Sequence, residues 1–137
     1  MDPAELRHHE LSVADSRRGY LLSTEIGWNQ TEADWSYMLA NGPGLGLTDP
    51  NGKLVASAIA LPYGGFGWVC MVLVAPDWRR KGLATTLMNG VIELLQADGI
   101  VPGLDATPDG REVYRQIGFL DVYGLERLIA EQADIAA

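Results

Sequence analysis

Arg79, Arg80, Lys81 and Gly82 are the residues whose types and spacing most directly prescribe a chemistry. Three consecutive cations and a glycine, set between a strand-forming run and a helical one, bring together positive charge, backbone amides without helical partners and the positive end of a helix dipole. That combination is a seat for phosphate. Gly82 adds no side chain that would keep an anion from the backbone. An isolated basic triplet also describes a solvated loop with a glycine that merely opens a helix; the position at a strand-to-helix junction favours the anion site. The anion could be a nucleotide or a pyrophosphate-bearing cofactor, but glycine-rich dinucleotide and triphosphate loops need several more glycines than this turn contains. Other reactive side chains are less informative. Cys70 has no obvious partner inside an apolar run, so it reads as a packed thiol. His8 and His9 are neighbours that would point to opposite faces of a strand, so they read as surface or edge residues, and no metal site is expected.

The elements that must position the basic turn lie on either side of it. Trp68 to Val74 is an unbroken apolar run closed by Ala75-Pro76, and it reads as a strand buried on both faces. From Leu83 the apolar residues recur as Leu83, Ala84, Leu87, Met88, Val91, Ile92 and Leu95, the spacing of a helix that lays one wide stripe on a core. Earlier in the chain, Glu5 to Val13 reads as a strand, and residues 14–26 and 32–40 as two short helices broken at Gly27, with Thr31 as N-cap and Asp34 in the first turn. Residues 45–48 and 54–61 form a hairpin around Asp49-Pro50-Asn51-Gly52. Small residues at Ala56, Ser57, Ala58 and Ala60 predict close packing of its second strand against a helix. Tyr63 to Gly67 reads as a flexible aromatic connection, either lining a site or only turning the chain. Beyond the long helix, Leu104 to Ala106 reads as a strand, Gly110 to Ile117 as a short helix capped by Thr107, and Gly118-Phe119 as the start of a last sheet segment reaching about Leu128, before an acidic tail. Strands and helices alternating around a hairpin predict an α/β or α+β mixed sheet.

At this point a family resemblance becomes specific. Val72 to Pro76, the run Arg79-Arg80-Lys81-Gly82-Leu83-Ala84, and later Ala106, Thr107, Pro108, Gly110, Tyr114, Gly118 and Phe119 resemble the signature of the GCN5-related N-acetyltransferases, the GNAT family. The first block matches that family's acyl-CoA pyrophosphate loop: Gln or Arg, two residues, Gly, one residue, Gly or Ala. The resemblance implies a mainly antiparallel sheet flanked by helices, with central strands splayed around the pantetheine arm. It implies acetyl-CoA as co-substrate, held by Val72, Leu73, Val74, Arg79, Arg80, Lys81, Gly82, Leu83, Ala84 and Thr85. It makes Glu25, Trp28 and Asn29 contacts of the acceptor amine, and Tyr114 the acid that protonates the departing thiolate.

Amide formation from a thioester sets the remaining demands. A primary amine with a pKa near 10.4 is almost all ammonium at neutral pH, and freeing its lone pair costs roughly 4.6 kcal/mol. The carbonyl needs preorganised donors as charge builds on its oxygen, and amides near Val72 to Val74 are the expected source. Residues 68–74 contain no carboxylate, although many relatives carry one there, so Glu25 becomes the expected base, acting directly or through water. A neutral acceptor amine would need none.

With 137 residues, 47% hydrophobic and 20% charged, the chain is expected to be one soluble domain, spanning residues 1–137. Ten Lys and Arg against eighteen Asp and Glu give a net charge of -8, which argues against nucleic acid or an anionic membrane as partner. A single cysteine and the lack of a long apolar stretch predict a cytoplasmic protein. The acceptor is expected to be a small molecule or peptide, the acidic chain mildly favouring a cationic one. A homodimer and a non-catalytic acyl-CoA sensor are the remaining expectations.

Overall fold

A computed structural model describes residues 2–104 together with Tyr114 and Arg115. Five strands form one sheet in the order β1 (Arg7–Leu11), β2 (Gly44–Thr48), β3 (Leu54–Tyr63), β4 (Phe66–Val74) and β5 (Val101–Gly103). The first three pairings are antiparallel and β4 with β5 is parallel, so the expected mixed, mainly antiparallel sheet is what the chain builds. Helices α1 (Ser16–Ile26), α2 (Glu32–Asn41) and α3 (Leu83–Ala97) flank it.

The helices lie on opposite faces. A Cβ added at Gly44 would meet Leu39 of α2, whereas one added at Gly90 of α3 would meet Leu45. Residues 44 and 45 are consecutive in one strand and so present opposite faces. Between these layers β3 is buried continuously from Leu54 to Ala60, and the small residues at Ala56, Ser57, Ala58 and Ala60 let helices close on both sides of it. β3, and not β4, is therefore the strand buried on both faces. In β4, Val69, Met71 and Leu73 are buried while Trp68, Cys70, Val72 and Val74 are only half-buried. The apolar run hid this alternation because both faces carry apolar side chains.

Local signals account for the helix ends. Thr31 Oγ1 accepts from the Asp34 amide at 3.1 Å, and the Asp34 carboxylate accepts from the Thr31 amide at 2.8 Å, the reciprocal cap that starts α2. Gly27, at φ 92°, ends α1: its amide donates to the Thr24 carbonyl at 3.0 Å and the Trp28 amide to the Ser23 carbonyl at 2.9 Å. These two bonds form a Schellman closure, which only a left-handed residue completes easily. Trp35 is fully buried against α1, where Gly19 leaves room for its ring and Ser23 Oγ accepts from its Nε1 at 3.0 Å.

Three expectations shift. Tyr63 and Phe66 are paired across a tight Gly64-Gly65 turn, so the aromatic connection is a hairpin and not a loose loop. β5 is Val101–Gly103, paired only with the start of β4, and Leu104 lies just beyond it; positions 105 and 106 of the expected strand lie outside the described residues. His9 is more than an edge residue: its ring bonds Thr48 Oγ1 at 2.6 Å and the Glu10 carbonyl at 3.0 Å. Tyr114 and Arg115 are helical as expected. The remainder of the predicted helix at 110–117, the segment from Gly118 and the acidic tail lie outside the described residues.

Candidate active site

The sheet opens where β4 leaves its neighbours. β5 pairs with β4 only over Phe66 to Trp68, so among the described residues the far edge of β4 from Val69 onward has no strand beside it. Its other edge carries a bulge. Ser57 pairs with Leu73 and Ile59 with Cys70, leaving Met71 and Val72 opposite Ala58. Met71 takes φ 50°, and the buried Ser57 hydroxyl donates to its carbonyl at 2.7 Å. A bulge of this kind bends and twists its strand; here it turns the end of β4 toward the basic turn.

An open cleft of about 540 Å³ occupies that space. Val72, Leu73 and Val74 form one wall; Arg79, Arg80 and Gly82 form its mouth; Leu83, Ala84 and Thr85 contribute the first turn of α3. Nine of the ten residues expected to bind the cofactor thus line a single cleft. Lys81, the tenth, is exposed and lies off the lining. Trp28 also lines the cleft, whereas Asn29 is exposed and outside the lining. Ile26 and Trp78 complete it, and the sequence reading had assigned neither. Trp78 ends the 3-10 turn Pro76–Trp78 directly before the basic triplet, and that adjacency is the only sequence signal that could have marked it.

The backbone of the turn is arranged for an anion. Arg80 at φ 64° and Gly82 at φ 74° are both left-handed. The first helical bond of α3 is from the Thr86 amide to the Gly82 carbonyl, at 3.1 Å, and no side chain caps the helix. Among the described residues, the amides of 80 to 85 therefore donate to no protein acceptor. Alternating backbone conformations with free amides make a concave anion receptor. A Cβ built on Gly82 meets nothing within 4 Å, so the space above it is open. Arg79 Nε donates to the Val74 carbonyl at 3.3 Å, which holds its positive charge against the end of β4. Among the described residues lining the cleft, Arg79 and Arg80 are charged and no carboxylate appears.

Neither expected proton-transfer group is among the described residues that line the cleft. Glu25 lies 3.0 Å from Lys53 Nζ and does not line the cleft, so direct proton abstraction there does not fit its placement. Lys53 is 28 positions away in the chain, and nothing local in the sequence announces the pair. Tyr114 is half-buried against the hydrophobic core, and desolvation pushes its phenol above the usual tyrosine value, which keeps the proton on at neutral pH. Burial pushes the Cys70 thiol up to about 11, the opposite of what a nucleophile requires. One further group went unnoticed in the sequence: Gln30 Oε1, two residues beyond Trp28, is buried without a hydrogen-bond partner.

A sheet that opens into a cleft ending in an uncapped helix and a basic turn has the layout expected of an acyl-CoA transferase. The sequence pattern of the acetyltransferase (GNAT) family matches residues 9–119, and the chain belongs to that family. No curated protein matches it significantly in sequence. Solved structures do resemble it. An acetyltransferase from Trypanosoma brucei superposes with a TM-score of 0.75 at 20% identity, over 91% of this chain and 99% of that one. Glucosamine-6-phosphate N-acetyltransferase from Arabidopsis thaliana gives 0.73 at 14% identity, over 93% and 99%. An aminoglycoside N-acetyltransferase in complex with CoA gives 0.71 at 13% identity, over 93% and 95%. At these identities the likeness carries the fold, and the family match carries the activity class: the protein is an acetyltransferase.

Proposed function

We propose that the protein transfers acetyl from acetyl-CoA to the primary amine of a small molecule or peptide by direct attack. The observation that carries this reading is the cleft itself: among the described residues, the amides of 80–85 without a protein acceptor, the guanidinium groups of Arg79 and Arg80 and the unpaired edge of β4 come together there. Pyrophosphate fits the first, because charge-assisted bonds from Arg and from backbone amides at a helix N-terminus are the strongest available to it. Lys81 adds its charge at the mouth. Bound acetyl-CoA supplies the activated acyl thioester.

The chain's own residues then have distinct tasks. Val72, Leu73 and Val74 guide the pantetheine arm and offer main-chain donors to the carbonyl oxygen. Leu83, Ala84 and Thr85 pack beneath the phosphates, and Trp28 faces the acceptor, with Asn29 beside it outside the lining. Tyr114 keeps a proton for the departing sulfur. Two of the neighbours are named for amine acceptors, an aminoglycoside and an amino sugar phosphate, which supports the same class here.

Thiol release from acetyl-CoA across a panel of primary amines tests the reading. Acceptor-dependent thiol is the expected result. CoA binding with no thiol from any amine would instead favour a non-catalytic sensor, a possibility raised by the absence of a carboxylate from β4.

A further inference from the structure

We infer that the acceptor is an amine carried on a flat apolar ring and already neutral at working pH, seated against the indole of Trp28; this rests on the acetyl-transfer reading above. Trp28 is 44% exposed on the cleft wall. Its backbone is nonetheless fixed, because the Gly27 closure pins its amide to the Ser23 carbonyl at 2.9 Å. A large indole on a fixed backbone, left partly in water on the wall of an acyl-transfer cleft, offers its face to a flat apolar ring. Ile26 and Trp78 line the same space, so a ring resting on Trp28 meets apolar atoms elsewhere too. The cleft volume of about 540 Å³ must also admit a pantetheine arm, which leaves room for a small ring system.

Charge points the same way. The net charge of -8 favoured a cationic acceptor, but the charge of a chain is not the charge of its cleft. Along the described lining the ionised groups are Arg79 and Arg80, and Glu25, the carboxylate on the adjoining helix, is spent on Lys53. Arg79 and Arg80 belong to the phosphate seat, so the described lining leaves no carboxylate to receive a polyamine. Nor does β4 carry an Asp or Glu to take a proton from an ammonium. An amine whose lone pair is shared with an aromatic ring is unprotonated at neutral pH and needs no such base. Its nitrogen bonds to the acetyl carbonyl carbon, the carbon–sulfur bond breaks, and the nitrogen's surplus proton ends on sulfur. The products are one amide and one free thiol, with no further reactant.

Aniline, benzylamine and spermidine separate the terms, since they are respectively a neutral ring amine, a ring ammonium and a polycation. Aniline is expected to give the highest kcat/KM, with a rate nearly flat from about pH 6 to 8, while benzylamine rises about tenfold per pH unit. Trp28→Ala should lower kcat/KM for aniline about tenfold through KM, and Trp28→Phe should keep most of it. Calorimetric titration of aniline into the CoA-bound protein should lose its binding signal in Trp28→Ala and retain it in Trp28→Phe, which requires no turnover. Thiol release with spermidine but not aniline, or aniline binding unchanged by Trp28→Ala, overturns the acceptor assignment alone. Release with no amine at all overturns the acetyl-transfer reading and this one with it.

Discussion

Removing one hydroxyl, by Ser57→Ala, should loosen the bulge that shapes the cleft. Ser57 is fully buried, and its Oγ donates to the Met71 carbonyl at 2.7 Å. Met71 itself is buried and sits at φ 50°, a region that costs a side chain of this size roughly 1–2 kcal/mol. Alanine takes away the donor and leaves that carbonyl short of a partner inside the sheet, a loss of about 1–3 kcal/mol. The lost volume is a single oxygen, so a cavity adds little. Taking about 2 kcal/mol, and roughly 2.1 cal/mol/K of unfolding entropy per residue over the chain's length, Tm should fall by about 7 °C. Urea unfolding followed by circular dichroism is the assay, with the m value unchanged if the native packing otherwise survives. CoA affinity should fall as well, because the bulge sets the path of Val72 to Val74. A stability loss under about 0.5 kcal/mol together with unaltered CoA binding would refute the claim that this bond holds the bulge.

The remaining predictions concern the two ends of the cleft and the thiol between its strands. Arg80→Glu should weaken CoA binding by more than about 1 kcal/mol by calorimetry, since it reverses a phosphate contact; an unchanged Kd would count against the basic turn as the cofactor seat. Tyr114→Phe should lower kcat with little change in Kd for CoA, and equal turnover would remove the phenol as the acid. Burial lifts the Cys70 thiol from 9.0 to about 11 in the folded chain. Between those values the unfolded chain sheds that proton first, so stability present below pH 9 should be lost as pH rises to 11, with a slope approaching 1.4 kcal/mol per unit. Cys70→Ala should flatten that alkaline decline in urea midpoints, and parallel curves for the two proteins would contradict it.

The parts of the site that could be read from the sequence are those whose causes are local. The triplet at 79–81, Gly82 and the stripe that opens at Leu83 are adjacent in the chain, and they meet the end of the strand whichever way the rest folds. Thr31 and Asp34 cap each other across three residues for the same reason. What could not be read depends on distant partners. Glu25 looked available until Lys53, from the far side of the sequence, took its carboxylate. The run 68–74 gave no sign of its bulge, because nothing in its apolar residues distinguishes Met71 from its neighbours; the register against Ser57 and Ile59 decides it. The burial of β3 over that of β4 likewise depends on which strand ends up beneath helices on both faces.

The two walls of the cleft are held by separate contacts, and this bears on how such a protein changes its acceptor. The cofactor wall is fixed by α3: Gly90 admits Leu45, Gly67 admits Leu95, and Met88 and Val91 are fully buried. The side of the cleft that carries Trp28 is held by α1 and α2 through Trp35 with Ser23 and through the Ser36 hydroxyl, which donates to Ser16 Oγ at 2.8 Å. Trp28 projects from the second set, beyond the Gly27 closure, and takes no part in either packing. Its side chain is exposed, and exchange there removes no core contact, whereas a change at Gly82 or Ser57 acts on the backbone that shapes the cofactor wall. On the function proposed above, acceptor preference would vary at Trp28 while the anion seat stays intact, the division of labour expected of a fold that serves many amines with one acyl donor.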